Sequence, residues 1–230
     1  MAPDLRRSAW IVIAAYNEQP RLGDTLARLL ATGYANVVVV DDGSRDDTVA
    51  VALRHPVWVL RHLLNLGQGA ALQTGIAFAL KQNADYIVTF DADGQHDPTE
   101  IDRVLAPVAS GEADVALGSR FLGATVNMPF ARKLVLKGGI VFTRVVSNVR
   151  VTDTHNGFRA FTRAAAEKVR ISQNRMAHAS EILDRIREHR LRYVEVPVTI
   201  RYSADTMAKG QSSWNAVRIV FDFLLGRAIR

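Results

Sequence analysis

The sequence predicts an α/β protein: a doubly wound, mostly parallel sheet with helices on both faces, in a single domain over 1–230. Three observations carry this. Val-rich runs bounded by turn residues alternate with helix-length amphipathic stretches, the order that parallel strands and their crossovers require. Those runs are apolar throughout rather than at every second position, as in strands covered on both faces. The length, 230 residues with 48% of them apolar, suits one sizeable core.

Taken in order, 10–14, 36–40, 57–61, 86–90 and 115–117 read as strands, and helices over 20–31, 47–54, 69–82 and 98–109 fill the gaps between them. The second half is less regular. It holds a basic apolar stretch at 130–150, a short strand in "THNGFRAF", a helix around 180–189 and a strand over 193–200. No repeat or low-complexity linker divides the two halves, so the second completes the same domain.

Ligands of a doubly wound sheet gather beyond the C-terminal strand ends, and three polar clusters follow predicted strands directly: Tyr16-Asn17-Glu18, Asp41-Asp42-Gly43-Ser44 and Asp91-Ala92-Asp93. Asp97 before Pro98 has the pattern of a helix N-cap followed by proline at the first helical position. Asp91 and Asp93 differ, because two like charges one residue apart raise each other's pKa unless a cation sits between them. An EF-hand does not fit, since Gln95 takes the next alternate position and no distal glutamate follows. An incompletely caged Mg²⁺ or Mn²⁺ keeps positions for substrate phosphates, so the pair implies a phosphorylated ligand. The chain has no cysteine, which excludes disulfides and thiolate sites and favours a hard cation. "GQGAALQTG" from Gly67 resembles the start of a dinucleotide fingerprint, but Leu72 holds its third glycine position; close backbone packing accounts better for Gly67 and Gly69.

A formal net charge of +6 points to an anionic partner. From 115 to 152 there is no acidic residue, while Arg120, Arg132, Lys133, Lys137, Arg144 and Arg150 interleave with Phe130, Leu134, Ile140 and Phe142. That pattern predicts an interfacial helix on anionic lipid. The tail "WNAVRIVFDFLLGRAIR" is amphipathic, and Arg218, Asp222 and Arg227 make it a poor bilayer span. With no long apolar run and no apolar signal core, the expected location is cytoplasmic, peripheral on the inner face of the cell membrane. A nucleic-acid-binding module would explain the charge but would leave Asp42, Asp91 and Asp93 converging where phosphates are repelled.

"IVIAAYNE", "VVVVDDGSRDDT", "NLGQGAALQTG", "DADGQHDP" and "GSRF", in this order, resemble the family-2 glycosyltransferases with the GT-A fold, in particular the polyprenyl-phosphate sugar synthases of the dolichyl-phosphate mannose synthase type. "ARKLVLKGG", "TDTHNGFRAF" and "VPVTIRYS" extend the likeness over 9–203. The resemblance implies that Ala14, Tyr16, Asn17, Glu18 and Asp42 line a nucleotide pocket, with Asp42 meeting the base or ribose of a UDP- or GDP-linked sugar. It implies that Asp91 and Asp93, joined by Gln95, hold the metal on the donor diphosphate, that Arg201 steadies a diphosphate, and that Arg120 and Arg132 receive the acceptor phosphate. Two positions depart from the pattern: Ala14 stands where proline is usual, and Leu136 where a small polar residue often lies beside the lipid phosphate. The expected activity is inverting, metal-dependent transfer of a sugar to a polyprenyl (dolichyl or undecaprenyl) phosphate, with room for a small integral membrane protein as docking partner. A same-fold enzyme acting on a saccharide would need a general base; Asp153, the only acid between Asp114 and Glu167, reads either as a turn residue or as a site residue.

Overall fold

The computed structural model describes residues 4–126, 149, 151–175 and 177–202. Seven strands form one mixed sheet in the order β3-β2-β1-β4-β6-β5-β7. A short helix, α1 (Leu5–Ser8), leads into β1 (Ala9–Ala15), which pairs in parallel with β2 (Val37–Asp41) from Ile11 opposite Val37 to Ala15 opposite Asp41. Their apolar runs are buried because helices cover both faces. Between them α2 (Gln19–Leu30) starts with Pro20 in its first turn and buries Leu22, Leu26 and Leu29, a stripe at helical spacing.

After α3 (Thr48–Ala52), the short strand β3 (Trp58–Arg61) closes the sheet edge beside β2. The crossover α4 (Gln68–Lys81) lies so close to β1 and β2 that a Cβ on Gly75 would collide with Val12. It leads to β4 (Tyr86–Asp91), parallel to β1. Asp97 accepts from Thr99 N at 3.1 Å and caps the turn that opens α5 (Ile101–Ala109), as its place before Pro98 predicts.

β5 (Val115–Val126), β6 (Arg159–Thr162), α6 (Arg163–Lys168), α7 (His178–Glu188) and β7 (Tyr193–Arg201) complete the described fold. β6 runs antiparallel to both β4 and β5, so the parallel winding stops at β4. β5 extends nine residues past the apolar run ending at Leu117, with a register break against β7 between Ser119 and Ala124. Gly118, Ser119 and Arg120 interrupt the apolar pattern and hide that extension from the sequence. Phe90, Val104 and Phe158 pack in the core on one face, and Val12, Leu72, Phe161 and Ile182 in the core on the other. No helix among the described residues is long and apolar enough to cross a membrane. The expected interfacial stretch with Arg132, Lys133 and Lys137, and the tail from 214, lie outside the described residues.

Candidate active site

The register places the acidic loops side by side. Ala14 is opposite Asp91 on β4 and Ala15 is opposite Asp41 on β2, so the residues after β1, β2 and β4 emerge at the same edge. The loops after β1 and β2 are tied together by short polar contacts. Asn17, with φ at 53°, donates its N–H to Ser44 Oγ at 2.9 Å and accepts from Arg45 N through its side chain. Glu18 N donates to Thr48 Oγ1, and the Glu18 carboxylate pairs with Arg21 at 2.7 Å. Tyr16 is exposed at the rim.

Asp42 is buried. Its carboxylate accepts from Leu66 N at 3.0 Å and Gly67 N at 2.6 Å, and the His62 ring lies against it at 2.8 Å. These contacts fold the 62–67 loop back over the end of β2. Gly67, at φ 106°, and Gly69 lie against the backbone at Gln173 and Asn174, where a Cβ would collide. Gly67 and Gly69 of "GQGAALQTG" thus serve close packing between α4 and the segment before α7, as their sequence context predicts.

At the end of β4, Asp91 takes Gln68 Nε2 at 3.2 Å on one oxygen and His96 Nε2 at 2.9 Å on the other, and its side chain remains 27% exposed. Burial alone would raise its carboxyl, but the His96 hydrogen bond, with the nearby charges of His96 and Arg159, outweighs burial and holds it below the usual value. Asp93 goes the other way. Burial first, and then repulsion from Asp91, pushes it up to about 6. Two carboxylates that oppose each other's ionisation suit a divalent cation, which removes the repulsion. Among the described residues no three His, Cys, Asp or Glu side chains gather as a metal cage; Asp91 and Asp93 are the two carboxylates here that could share a cation with water and substrate phosphates.

Gln95 N donates to Asp93, and Gln95 O accepts from Arg201 N, which brings the end of β7 onto this loop. The Arg201 guanidinium stands 3.5 Å from Asp97. Asp91, Asp93, Gln95 and Arg201 are therefore brought together. Arg120 is held elsewhere on the same edge: Nε donates to Asp153 at 2.6 Å, Nη1 to the Tyr202 hydroxyl at 2.7 Å and Nη2 to His155 O. Asp153 also accepts from Arg120 N and His155 N, and Glu195 accepts from Thr152 N and Asp153 N. Asp153 is thus a buried anchor for Arg120. Arg132 lies outside the described residues.

Sequence reasoning missed His96, Gln68, Gly157, Arg159 and His178. Gly157 leaves the room that the Asp91 carboxylate fills, since a Cβ there would collide with both of its oxygens. A signal existed for Arg159, an arginine set between Phe158 and Ala160-Phe161 in an otherwise apolar strand. His96 and Gln68 gave none, because the fold alone brings them to Asp91.

Residues 10–170 match the family model described as glycosyl transferase family 2. The chain is 30% identical over 237 residues to UDP-N-acetylglucosamine--dolichyl-phosphate N-acetylglucosaminyltransferase of Methanococcus voltae, covering 94% of each. It is 36% identical over 171 residues to polyprenol monophosphomannose synthase of Mycolicibacterium smegmatis, covering 70% of this chain and 64% of that protein. Its fold is similar to a crystal structure of Mycobacterium tuberculosis glucosyl-3-phosphoglycerate synthase in complex with Mn²⁺ and UDP-glucose, with a TM-score of 0.73 at 18% identity over 96% of this chain and 78% of that one. The chain belongs to glycosyl transferase family 2 and is a glycosyltransferase of the GT-A fold.

Proposed function

We propose that the protein transfers a sugar, with inversion, from a UDP- or GDP-linked donor to a polyprenyl phosphate at the cytosolic membrane face, using Mg²⁺ or Mn²⁺ at Asp91 and Asp93. The observation that carries the reading is the Asp91–Asp93 pair at the end of β4, where Gln68 and His96 hold the Asp91 carboxylate and burial, then repulsion from Asp91, pushes Asp93 up to about 6. The cation, when bound, neutralises charge developing on the departing nucleoside diphosphate. Gln68 and His96 orient Asp91 for this, and Gly157 gives its carboxylate room. Arg201, whose backbone N–H meets Gln95 O, would turn its guanidinium from Asp97 to steady the donor diphosphate. Ala14 at the end of β1 and the loops carrying Tyr16, Asn17, Glu18 and Asp42 form the nucleotide side, and Asp42 enters it through the 62–67 loop that it holds.

A phosphate acceptor is already anionic and needs no general base, in keeping with an Asp153 whose two oxygens are engaged by Arg120 and His155 N. The names of the relatives from Methanococcus voltae and Mycolicibacterium smegmatis, a dolichyl-phosphate transferase and a polyprenol monophosphomannose synthase, support the same acceptor class with different sugars. On this reading the single domain over 1–230 docks on anionic lipid through the basic stretch at 130–150 and the tail at 214–230, with a small integral membrane protein as a further docking partner. Transfer assayed with Mg²⁺, a panel of UDP- and GDP-sugars, and a polyprenyl phosphate beside its dephosphorylated alcohol tests the proposal. Transfer to the phosphate alone is expected; comparable rates on both acceptors would overturn the phosphate as nucleophile.

A further inference from the structure

Arg159 is buried in β6, where Thr89 on β4 and Leu117 on β5 are its register partners. It is 3% exposed, its Nη1 has no hydrogen-bond partner, and none of the ion pairs among the described residues includes it. Arg120 is nearly as buried but spends its guanidinium on Asp153, Tyr202 and His155 O. An arginine does not escape the cost of burial by neutralising itself at ordinary pH, so a buried guanidinium with an unpartnered Nη1 and no ion pair keeps much of its desolvation penalty. Burial pushes Arg159 down to about 10, still well above ordinary pH. Packing offers no reason for it, because Phe161, two residues on along the same sheet face, and Leu117 both belong to the apolar core there.

Its surroundings suggest the reason. The charges that act on it are those of Asp91 and Asp153, one at the end of β4 and the other on the loop before β6. His155 and His178 are its other polar neighbours. Burial first, and for His178 then the Arg159 charge, holds that imidazole down at about 4, and burial also lowers His155, so neither competes as a cation. His178 is the first residue of the eleven-residue helix α7, and no side chain caps that helix's N-terminus. An uncapped helix N-terminus and an unpaired guanidinium attract the same kind of ligand.

We infer that Arg159 is a substrate-binding residue that receives a phosphate oxygen beside Asp91, Asp153, His155 and the start of α7. This rests on the transfer reaction proposed above and adds a residue to it. The phosphate belongs either to the donor diphosphate or to the polyprenyl phosphate. In both cases the anion gives the guanidinium the partner that the protein withholds.

The test uses the full chain with Arg159→Met and Arg159→Lys. Binding of inorganic pyrophosphate and of UDP, each with Mg²⁺, and of farnesyl phosphate is followed by calorimetry, alongside thermal melting. Arg159→Met should weaken at least one of these anions by roughly 100-fold, the size of effect seen when one partner of a buried charge pair is removed. It should melt no lower than the wild type, because the unpaired buried charge is gone. Arg159→Lys should keep part of the affinity, as a point charge without the two-pronged fork. A loss confined to pyrophosphate and UDP assigns the donor diphosphate; a loss confined to farnesyl phosphate assigns the acceptor. Wild-type affinity for all three anions in Arg159→Met overturns the inference, as does weakened binding only in variants that also melt lower. A wild type that binds these anions but transfers no sugar would refute the proposed function and leave the Arg159 assignment to be read from the same titrations.

Discussion

The two sides of the strand-end edge satisfy their polar groups in opposite ways. After β1 and β2, acceptors meet nearby backbone donors: Asp42 takes Leu66 N and Gly67 N, Asp41 takes Ser44 N, Asn17 takes Arg45 N, and Asp46 takes Gln19 N and Thr48 N. After β4 and along β6, groups are left wanting. Asp93 is pushed up by burial and then by its neighbour, Arg159 Nη1 has no partner, and neither has the buried His96 Nδ1. Buried polar groups are nearly always paired, so the first side is finished without a ligand and the second is not. The proposed reading gives this a meaning: a preformed platform for the nucleotide beside a reaction centre that substrate and cation complete.

Paired substitutions on the two sides break or sharpen the contrast. Asp91→Asn and Asp93→Asn should each lower turnover by on the order of 10² to 10³, the scale for losing one preorganised electrostatic contact in a transition state. Asp93→Asn should hold or raise the melting temperature, because it removes a carboxylate that the fold opposes. Gly157→Ala comes next: its Cβ would displace the Asp91 carboxylate, and a misplacement near 1 Å is worth roughly 100-fold in rate. Steady-state kinetics across a Mg²⁺ series checks both, and Gly157→Ala should raise the Mg²⁺ concentration needed for half-maximal rate.

On the other side Asp42→Asn should act on stability. An amide aimed at Leu66 N and Gly67 N turns one acceptor into a donor and leaves a backbone N–H unpaired, at about 1–3 kcal/mol, or roughly 2–4 °C in Tm for each kcal/mol at this chain length. Differential scanning calorimetry reads this directly. A cooler Asp93→Asn with an unchanged Asp42→Asn would reverse the comparison.

The sequence announces the finished side far better than the unfinished one. Apolar runs at 10–14, 36–40 and 86–90 locate β1, β2 and β4 to within a residue or two, and the acidic clusters after them mark the edge, because period and turn chemistry are local. Asp42 stands out in the sequence as a charge, but its three partners come from the 62–67 loop, about twenty residues on, so its role becomes legible only in the fold. Likewise Arg120 reads as a free cation until Asp153 and Tyr202 arrive from thirty-three and eighty-two positions away. The antiparallel β6 escapes for a different reason: strand direction is set by its partners, β4 and β5, and four residues of "RAFT" carry no sign of it.

The smallest expected effect is a titration, and it probes the unfinished side before any ligand binds. In metal-free protein Asp93 should titrate near 6, above its ordinary value of 3.8. The groups acting on it are Asp91, Gln95 N–H, His96 and Glu18; burial and the two carboxylates raise it, while His96 and the Gln95 hydrogen bond lower it. The sign for stability follows from the raised value. The folded, metal-free protein holds this proton more tightly than the unfolded chain does, so the group's contribution is fully present below 3.8 and is lost as pH rises through 6. A cation bound to the ionised pair acts oppositely, because protons compete for the same carboxylate, and affinity should fall up to about tenfold per pH unit below 6. The gain in Tm on adding Mg²⁺ should therefore grow from pH 5 to pH 7. Carbon-detected NMR of the Asp93 carboxyl, repeated on Asp91→Asn, separates the causes: the midpoint should drop when the neighbouring charge is removed, and a midpoint near 3.8 in the unsubstituted protein would show that Asp91 and Asp93 do not oppose each other and that this side of the edge is as settled as the other.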